Sequence, residues 1–410
     1  MTETQQKIAI VSQYFFPDHA STGTLMTNLA LGLLNKGCDV KVYTGYPSYW
    51  GIKQQTKKIE NYNGLLINRI SHLRLDTRTK TGSILIGLSF FFCVLFKLIF
   101  SSEKRIYFFV TTPPFLPFVG YMLKKIRNQR YIVIVYDIHP DITIKINYTK
   151  EGFVTKIWER LNRLIYNNAD KIIVLGECMA EVMRRKIPDN AEKIAIIQNW
   201  EDETFIKPMS KSENWFSNEN GLLEKFVVVY SGNMGVNHNL EIIIKAASHM
   251  NDMNINFIFF GEGSQKSSLM KKSNELHLKN VQFFDFQPLK NLPYTMTCGD
   301  AIIVSQEKGT ESLCVSCKFY TALAAGKPII AIIGENSEIS RVIKKYNCGI
   351  VISNYEDRLL AEKITELSSD KRLCQKLGEN ARSAFERYFT YQIAMTKYFE
   401  IVKEIDGIQN

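Results

Sequence analysis

The stretch from Phe226 to Glu241, FVVVYSGNMGVNHNLE, holds the residues best suited to bind an anion. Val227, Val228, Val229 and Tyr230 read as a strand, Ser231-Gly232 to Gly235 as a turn, and Leu240, Ile243 and Ala247 as one apolar helix face. Glycines let backbone N–H groups face outward, and a helix start adds partial positive charge. The unit can therefore seat a phosphate or diphosphate, or it can simply connect two elements. A second set of chemistry-bearing residues stands at Asp137-Ile138-His139-Pro140-Asp141, just after an apolar run. Catalytic groups of open α/β sheets collect at strand ends. His139 is read either as a catalytic group or as a structural histidine. Asp137 is read either as catalytic or as a cap for the element that follows.

Metal chemistry is not expected. No Asp-x-Asp segment follows a strand to hold Mg²⁺ between phosphates. Cys314 and Cys317 form a CxxC, but no second pair or histidine stands at a zinc-site spacing. The eight cysteines are scattered and read as reduced thiols of a cytosolic protein.

These residues are carried by alternating strands and helices. Lys7–Ser12 and Asp39–Thr44 read as strands around a helix through Leu25, Leu29, Leu33 and Leu34, the usual opening of a doubly wound sheet. Further strands are expected near residues 65–70, 105–110, 131–136, 171–175 and 193–197, with helices at 152–168 and 177–185. The polar stretch 201–224 breaks the pattern and reads as a linker. Beyond it, strands are expected at 226–230, 256–260, 281–284, 301–304, 328–333 and 349–351. Helices are expected at 240–250, 265–276 and 317–325, with a helical stretch over 372–405. A chain of 410 residues divides naturally into two domains, here 1–200 and 225–410, each with a parallel sheet.

Fifty-one basic against forty-one acidic residues leave a formal charge of +10, which suits an anionic partner or describes a plainly basic enzyme. No run of five Lys or Arg occurs, so nucleic acid is not favoured. The start, MTETQQ, lacks the basic head and apolar core of a signal peptide. Residues 82–96, GSILIGLSFFFCVLF, are uncharged, with LIF resuming after Lys97. That is short of the ~20 residues of a spanning helix, and a buried or interfacial helix is expected. Lys97, Lys104 and Arg105, with Lys124, Lys125, Arg127 and Arg130, are candidates for anionic lipid. Ordinary core followed by a solvated basic helix end fits equally well.

Several motifs follow one another in order: YFFPDHASTG (14–23), TGYPSY (44–49), TTPPF (111–115), DIHPD (137–141), NWEDETFIKP (199–208), YSGNMGVNHNLE (230–241), FIFFGEG (257–263) and SCKFYTALAAGKPIIAIIGENSEI (316–339). In order and spacing the chain resembles the retaining glycosyltransferases of family 4, and within them the bacterial O-antigen fucosamine-transferase-like branch, over nearly its whole length. The resemblance implies a GT-B fold: α/β, two Rossmann-like domains facing a central cleft, with a C-terminal helix. It implies that Gly23 lines that cleft and that Asp137 and Asp141 are the acidic positions of a catalytic segment. Ser231, Gly232, Asn233 and Gly235 would form the donor-phosphate turn, and Gly261 and Gly263 the turn near the base. Lys318 would be the lysine that answers charge on the departing diphosphate, with the amides of Asn233–Gly235 beside it.

The chain also departs from the family pattern. Asn233 and His238 stand where many members carry Arg and Lys, and His238 is left as a weaker phosphate donor. Leu313 and Thr321 stand at the positions of a glutamate pair whose second member grips ribose hydroxyls, so ribose recognition has no assigned residue. The implied activity is transfer of a sugar from a UDP-linked or other nucleotide donor to a lipid-linked saccharide in O-antigen or capsule assembly. No metal or cofactor is implied. The implied setting is the inner face of a bacterial plasma membrane, with peripheral attachment. A sugar-nucleotide epimerase, or a nucleotide-sugar-binding homologue without catalysis, shares the same architecture.

Overall fold

The computed structural model describes residues 5–18, 20–47, 55–75 and 79–407. His19 and the Ser48-Tyr49 end of the 44–49 motif lie outside them. The chain divides into two compact units. The first comprises residues 1–144, 149–198 and 392–410, and the second residues 145–148 and 199–391.

The first unit is built on strands β1 (Lys7–Ser12), β2 (Asp39–Thr44), β3 (Ile59–Tyr62), β4 (Leu65–Arg69), β5 (Ile106–Val110), β6 (Arg130–Val135), β7 (Lys171–Val174) and β8 (Ile194–Ile196). They form one eight-stranded sheet in the order β3-β4-β2-β1-β5-β6-β7-β8. Only β3 runs antiparallel, against β4. A parallel sheet is covered on both faces, so its central strands are apolar throughout. Every residue of β5, IYFFV, is buried. Edge strand β3, IENY, has no buried residue, and its weak apolar signal explains why sequence reading passes over it.

The apolar run after residue 80 is longer than the sequence suggests. It is a twenty-residue helix, Lys80–Ile99, with Thr79 Oγ1 accepting from Gly82 N at its start. Thr81–Ile99 is long and apolar enough to cross a membrane. Its inner face is core, however: Ile86, Phe90, Phe91, Val94 and Leu98 are buried. The helix is thus one crossover of the sheet, between β4 and β5. Arg105 is removed from the set of lipid-facing cations. It is 7% exposed and ion-paired to Asp39 and Glu103. Lys124 pairs with Asp170 and Arg127 donates to the Ile99 carbonyl, which leaves Lys125 as the exposed basic residue of its helix Pro117–Arg127.

The second unit carries β9 (Phe226–Ser231), β10 (Ile255–Phe260), β11 (Val281–Phe284), β12 (Ala301–Ser305), β13 (Ile329–Ile332) and β14 (Gly349–Val351). Their order is β11-β10-β9-β12-β13-β14, all parallel. The stretch 201–224 belongs to this unit and is no free linker. Asn214, fully buried, caps the short helix Trp215–Glu219 and donates to Tyr294 O and Thr297 Oγ1. Phe216 packs on Phe260 and Phe284. Five helical residues are too few to show a period.

The C-terminal boundary also moves. The helix Tyr391–Gly407 buries Ala394, Met395, Tyr398, Ile401, Val402 and Ile405. From Gln392 it is part of the first unit, where Tyr398 meets Phe108 and Glu404 pairs with Lys171.

Candidate active site

Strands β10, β9 and β12 are neighbours, so the turns that leave their carboxyl ends start side by side. Gly232 N donates to Phe260 O at 2.9 Å, Met234 N to Glu262 O at 2.7 Å, and Gln265 N to Met234 O at 2.9 Å. This lacing explains the glycines. Gly232 and Gly261 have φ of +131° and +130°, a region other residues rarely adopt. A Cβ on Gly261 would stand 2.2 Å from Gly232 O, and one on Gly263 2.3 Å from Met234 O. The close approach at both is backbone to backbone. Gly235, at φ −95°, is under no such constraint.

Lys318 opens the helix Lys318–Ala324, which follows the long loop after β12. Its side chain crosses directly over Gly232, where a Cβ would fall 2.3 Å from Lys318 Cε. The ammonium lies 3.3 Å from His238 Nε2 and 5.5 Å from the centre of the Tyr230 ring. Tyr230 in turn donates its hydroxyl to Asn233 O at 2.7 Å. Burial holds the Lys318 ammonium down to about 8.

His238 differs from its expected role as a phosphate donor. Its Nδ1 lies 3.1 Å from Ser305 O, which can only accept, so Nδ1 carries the proton. Nε2 is then an acceptor, and Lys318 donates to it. Burial first, and the Lys318 charge second, push His238 down to about 3, so the ring is neutral. His238 positions Lys318.

Thr321, one turn beyond Lys318, donates its hydroxyl to Glu201 Oε2 at 2.8 Å. Asn199 Nδ2 reaches Cys317 Sγ at 3.2 Å. The NWE segment, 199–201, therefore braces the start of the Lys318 helix. Sequence reading quotes that motif and assigns it no task. The only signal was an acidic residue within it, and its partner stands 120 positions away. Leu313 is buried apolar core and Thr321 is held by Glu201.

In the first unit the candidate residues separate. Gly23 lies inside the helix Ser21–Asn35, where a Cβ would come 3.3 Å from Asp18 O and Phe15 N. Its small size serves helix-to-loop packing. Asp137 follows β6 with its N–H on Thr111 Oγ1 at 3.3 Å, and burial raises its carboxyl to about 6. His139 stacks on Trp158, with centroids 5.4 Å apart and planes 13° apart, and its Nδ1 is buried without a hydrogen-bond partner. Burial lowers it to about 4, which keeps it neutral. Asp141 turns away to Lys186 at 2.7 Å, and Lys186 also holds Glu159 at 2.8 Å. Asp141 is therefore held in an ion pair on its own side of the segment.

Among the described residues no group of three or more His, Cys, Asp or Glu could hold a metal ion. A cavity of about 830 Å³ in the second unit opens at the amino ends of β9, β10, β12 and β13, beside Phe226, Ile255, Asp300 and Pro328. It lies at the opposite end of the sheet from Gly232 and Lys318, and in open α/β sheets ligands bind at the carboxyl ends.

Residues 211–384 match the family model described as "Glycosyl transferases group 1". The chain is 26% identical over 296 residues to the probable glycosyltransferase WbjE of Pseudomonas aeruginosa, covering 72% of this chain and 73% of that one. It is 26% identical over 212 residues to WcaI of Escherichia coli strain K12, a putative colanic acid biosynthesis glycosyl transferase, covering 50% and 51%. The crystal structure of Anabaena Alr3699/HepE in complex with UDP-glucose superposes with a TM-score of 0.74 at 15% identity, covering 98% of this chain and all of that one. The fold is GT-B, and the match to the group 1 glycosyltransferase model lies within the second unit.

Proposed function

We propose that the chain is a retaining glycosyltransferase that moves a sugar from a nucleotide-diphosphate donor, a UDP-sugar, to a lipid-linked saccharide in surface-polysaccharide assembly. One observation carries the reading: a half-buried lysine, Lys318, laid across the Gly232 turn at the carboxyl ends of β9 and β12 with its ammonium held down by desolvation. Departure of a nucleotide diphosphate builds negative charge on its leaving oxygens. A desolvated cation fixed beside backbone amides answers that charge without reorganising. Likeness to WcaI, a putative colanic acid biosynthesis glycosyl transferase, and to HepE solved with UDP-glucose supports the process and the donor class. The exposed outer face of the helix Lys80–Ile99 supports a lipid-linked acceptor and peripheral attachment to the inner face of the plasma membrane. The test is a donor screen on purified protein with lipid-linked acceptors. Transfer from a UDP-sugar with the anomeric configuration kept is expected. The absence of both sugar transfer and nucleotide release with every donor would overturn the reading.

Two expected outcomes follow from the side chains present. Activity should persist in excess EDTA, because no carboxylate cluster is placed to hold a divalent ion among the described residues. Full loss restored by Mg²⁺ or Mn²⁺ would refute a cation role for Lys318 alone.

Turnover should also be greatest between about pH 6 and about pH 8. Asp137 is raised to about 6, so it is charged only above that pH. Lys318 is lowered to about 8, so it is charged only below that one. Asp137→Asn should remove the acid limb, and Lys318→Arg should carry the alkaline limb upward. His139 and His238, at about 4 and about 3, contribute no limb near the ordinary histidine value. A limb near 6.5 abolished by substituting either histidine contradicts these assignments.

A further inference from the structure

The helix Phe153–Asn168 has a buried face and, opposite it, an apolar face that is exposed. One is core: Thr155, Asn162, Ile165 and Tyr166 are buried. The other is open: Phe153 is 77% exposed, Val154 71%, Ile157 47% and Leu164 40%. At about 100° per residue, Phe153, Ile157 and Leu164 fall within about 40° of one another. Lys156, Arg160 and Arg163, all exposed, flank that stripe on one side. A soluble surface explains single exposed apolar residues, not a row of them at helix spacing.

A second such row lies on the same side of the same sheet. The helix Lys80–Ile99 exposes Ile84, Leu85, Leu88, Phe92 and Phe96. It connects β4 to β5, the helix Pro117–Arg127 connects β5 to β6, and Phe153–Asn168 lies between β6 and β7. These crossovers advance in one direction across the sheet, and right-handed connections then place all three helices on one face. Side-chain contacts agree, since Phe91 stacks on Phe118 and Phe115 on Trp158. The middle helix adds exposed Ile126 and Lys125 between the two rows. Across the three helices Glu159 is the one acidic residue, and it is neutralised by Lys186 and Arg163.

We infer that Phe153–Asn168 is a second membrane-seating helix, so that the first unit rests on an anionic bilayer along two parallel apolar rows. Aromatic and aliphatic side chains flanked by Lys and Arg, with the helix's own Glu159 held in ion pairs, match the interface of an anionic leaflet. Both helices keep their inner faces in the core, so the contact is monotopic. The inference extends the membrane part of the proposed function and is independent of the transfer chemistry.

The test is flotation of the full chain with vesicles of phosphatidylcholine alone or mixed with phosphatidylglycerol. The parent should bind the mixed vesicles and release as salt rises. Phe153→Ser, Val154→Ser and Ile157→Ser combined should weaken binding by about 10-fold or more while the melting curve stays that of the parent, because these side chains are exposed. Lys156→Glu with Arg160→Glu should abolish the preference for anionic vesicles. Binding unchanged by the triple substitution overturns the inference and leaves the Lys80–Ile99 face as the only seat. A parent that ignores vesicles, or whose self-association in sedimentation is what the triple substitution removes, overturns it too. Sugar transfer to a water-soluble acceptor, measured on the same samples, reports separately on the proposed function.

Discussion

Lys318→Ala lowers turnover by roughly 10²-fold or more, the loss typical of removing one preorganised charge donor from a transition state. The side chain is placed for this and poorly placed for a structural task. It makes no ion pair among the described residues, it is desolvated enough to fall to about 8, and its ammonium donates to the neutral ring of His238. Because the missing charge matters most as the leaving group departs, the effect should fall on kcat more than on KM. Lys318→Arg should keep part of the activity, since the charge remains while its position shifts. Steady-state kinetics of both variants check this. Turnover of Lys318→Ala within a few-fold of the parent removes Lys318 from the chemistry. His238→Ala should lower turnover less than Lys318→Ala, because it removes only the acceptor that holds the ammonium.

Gly232→Ala produces a comparable loss of turnover for a different reason. The new Cβ would lie 2.3 Å from Lys318 Cε, so the lysine must leave its path across the turn. The backbone at φ +131° adds about 1–3 kcal/mol of strain, which a folded two-domain chain tolerates at some cost in melting temperature. Gly235→Ala is the control. Its φ is ordinary and its nearest neighbour, 3.1 Å away, is the movable Asn233 amide, so stability should change by no more than about 0.5 kcal/mol. Thermal melts and kinetics on the pair separate displaced lysine from a weakened fold. Parent-like turnover in Gly232→Ala would show that the lysine's path across the turn is not needed.

Much of this arrangement is legible along the chain. The strands announce themselves as unbroken apolar runs because both faces of a parallel sheet are covered. IYFFV of β5 and INFIFF of β10 are buried at every position. Helices with one apolar face are equally readable. What escapes is short or exposed, such as β3 with no buried residue or the five-residue helix Trp215–Glu219. Residues 82–96 were readable as apolar but not as half core and half surface. Only the packing shows that Phe90 is fully buried while Phe92, two positions on, is 52% exposed.

The sequence by itself determined that glycines interrupt the chain after two strands, that a lysine opens a later helix, and that acidic and histidine residues follow β6. Those are local facts, set by residue type and near-neighbour spacing. Tertiary structure alone decided which of them act together. It laid Lys318 over Gly232, turned His238 from phosphate donor to lysine acceptor, and joined Thr321 to Glu201. It also tied Asp141 to Lys186 and gave the last helix to the first unit. Each of these depends on partners 45 or more positions apart. Side-chain chemistry is local, but desolvation and hydrogen-bond partnership are set by whatever the fold brings alongside, and no spacing along the chain encodes that.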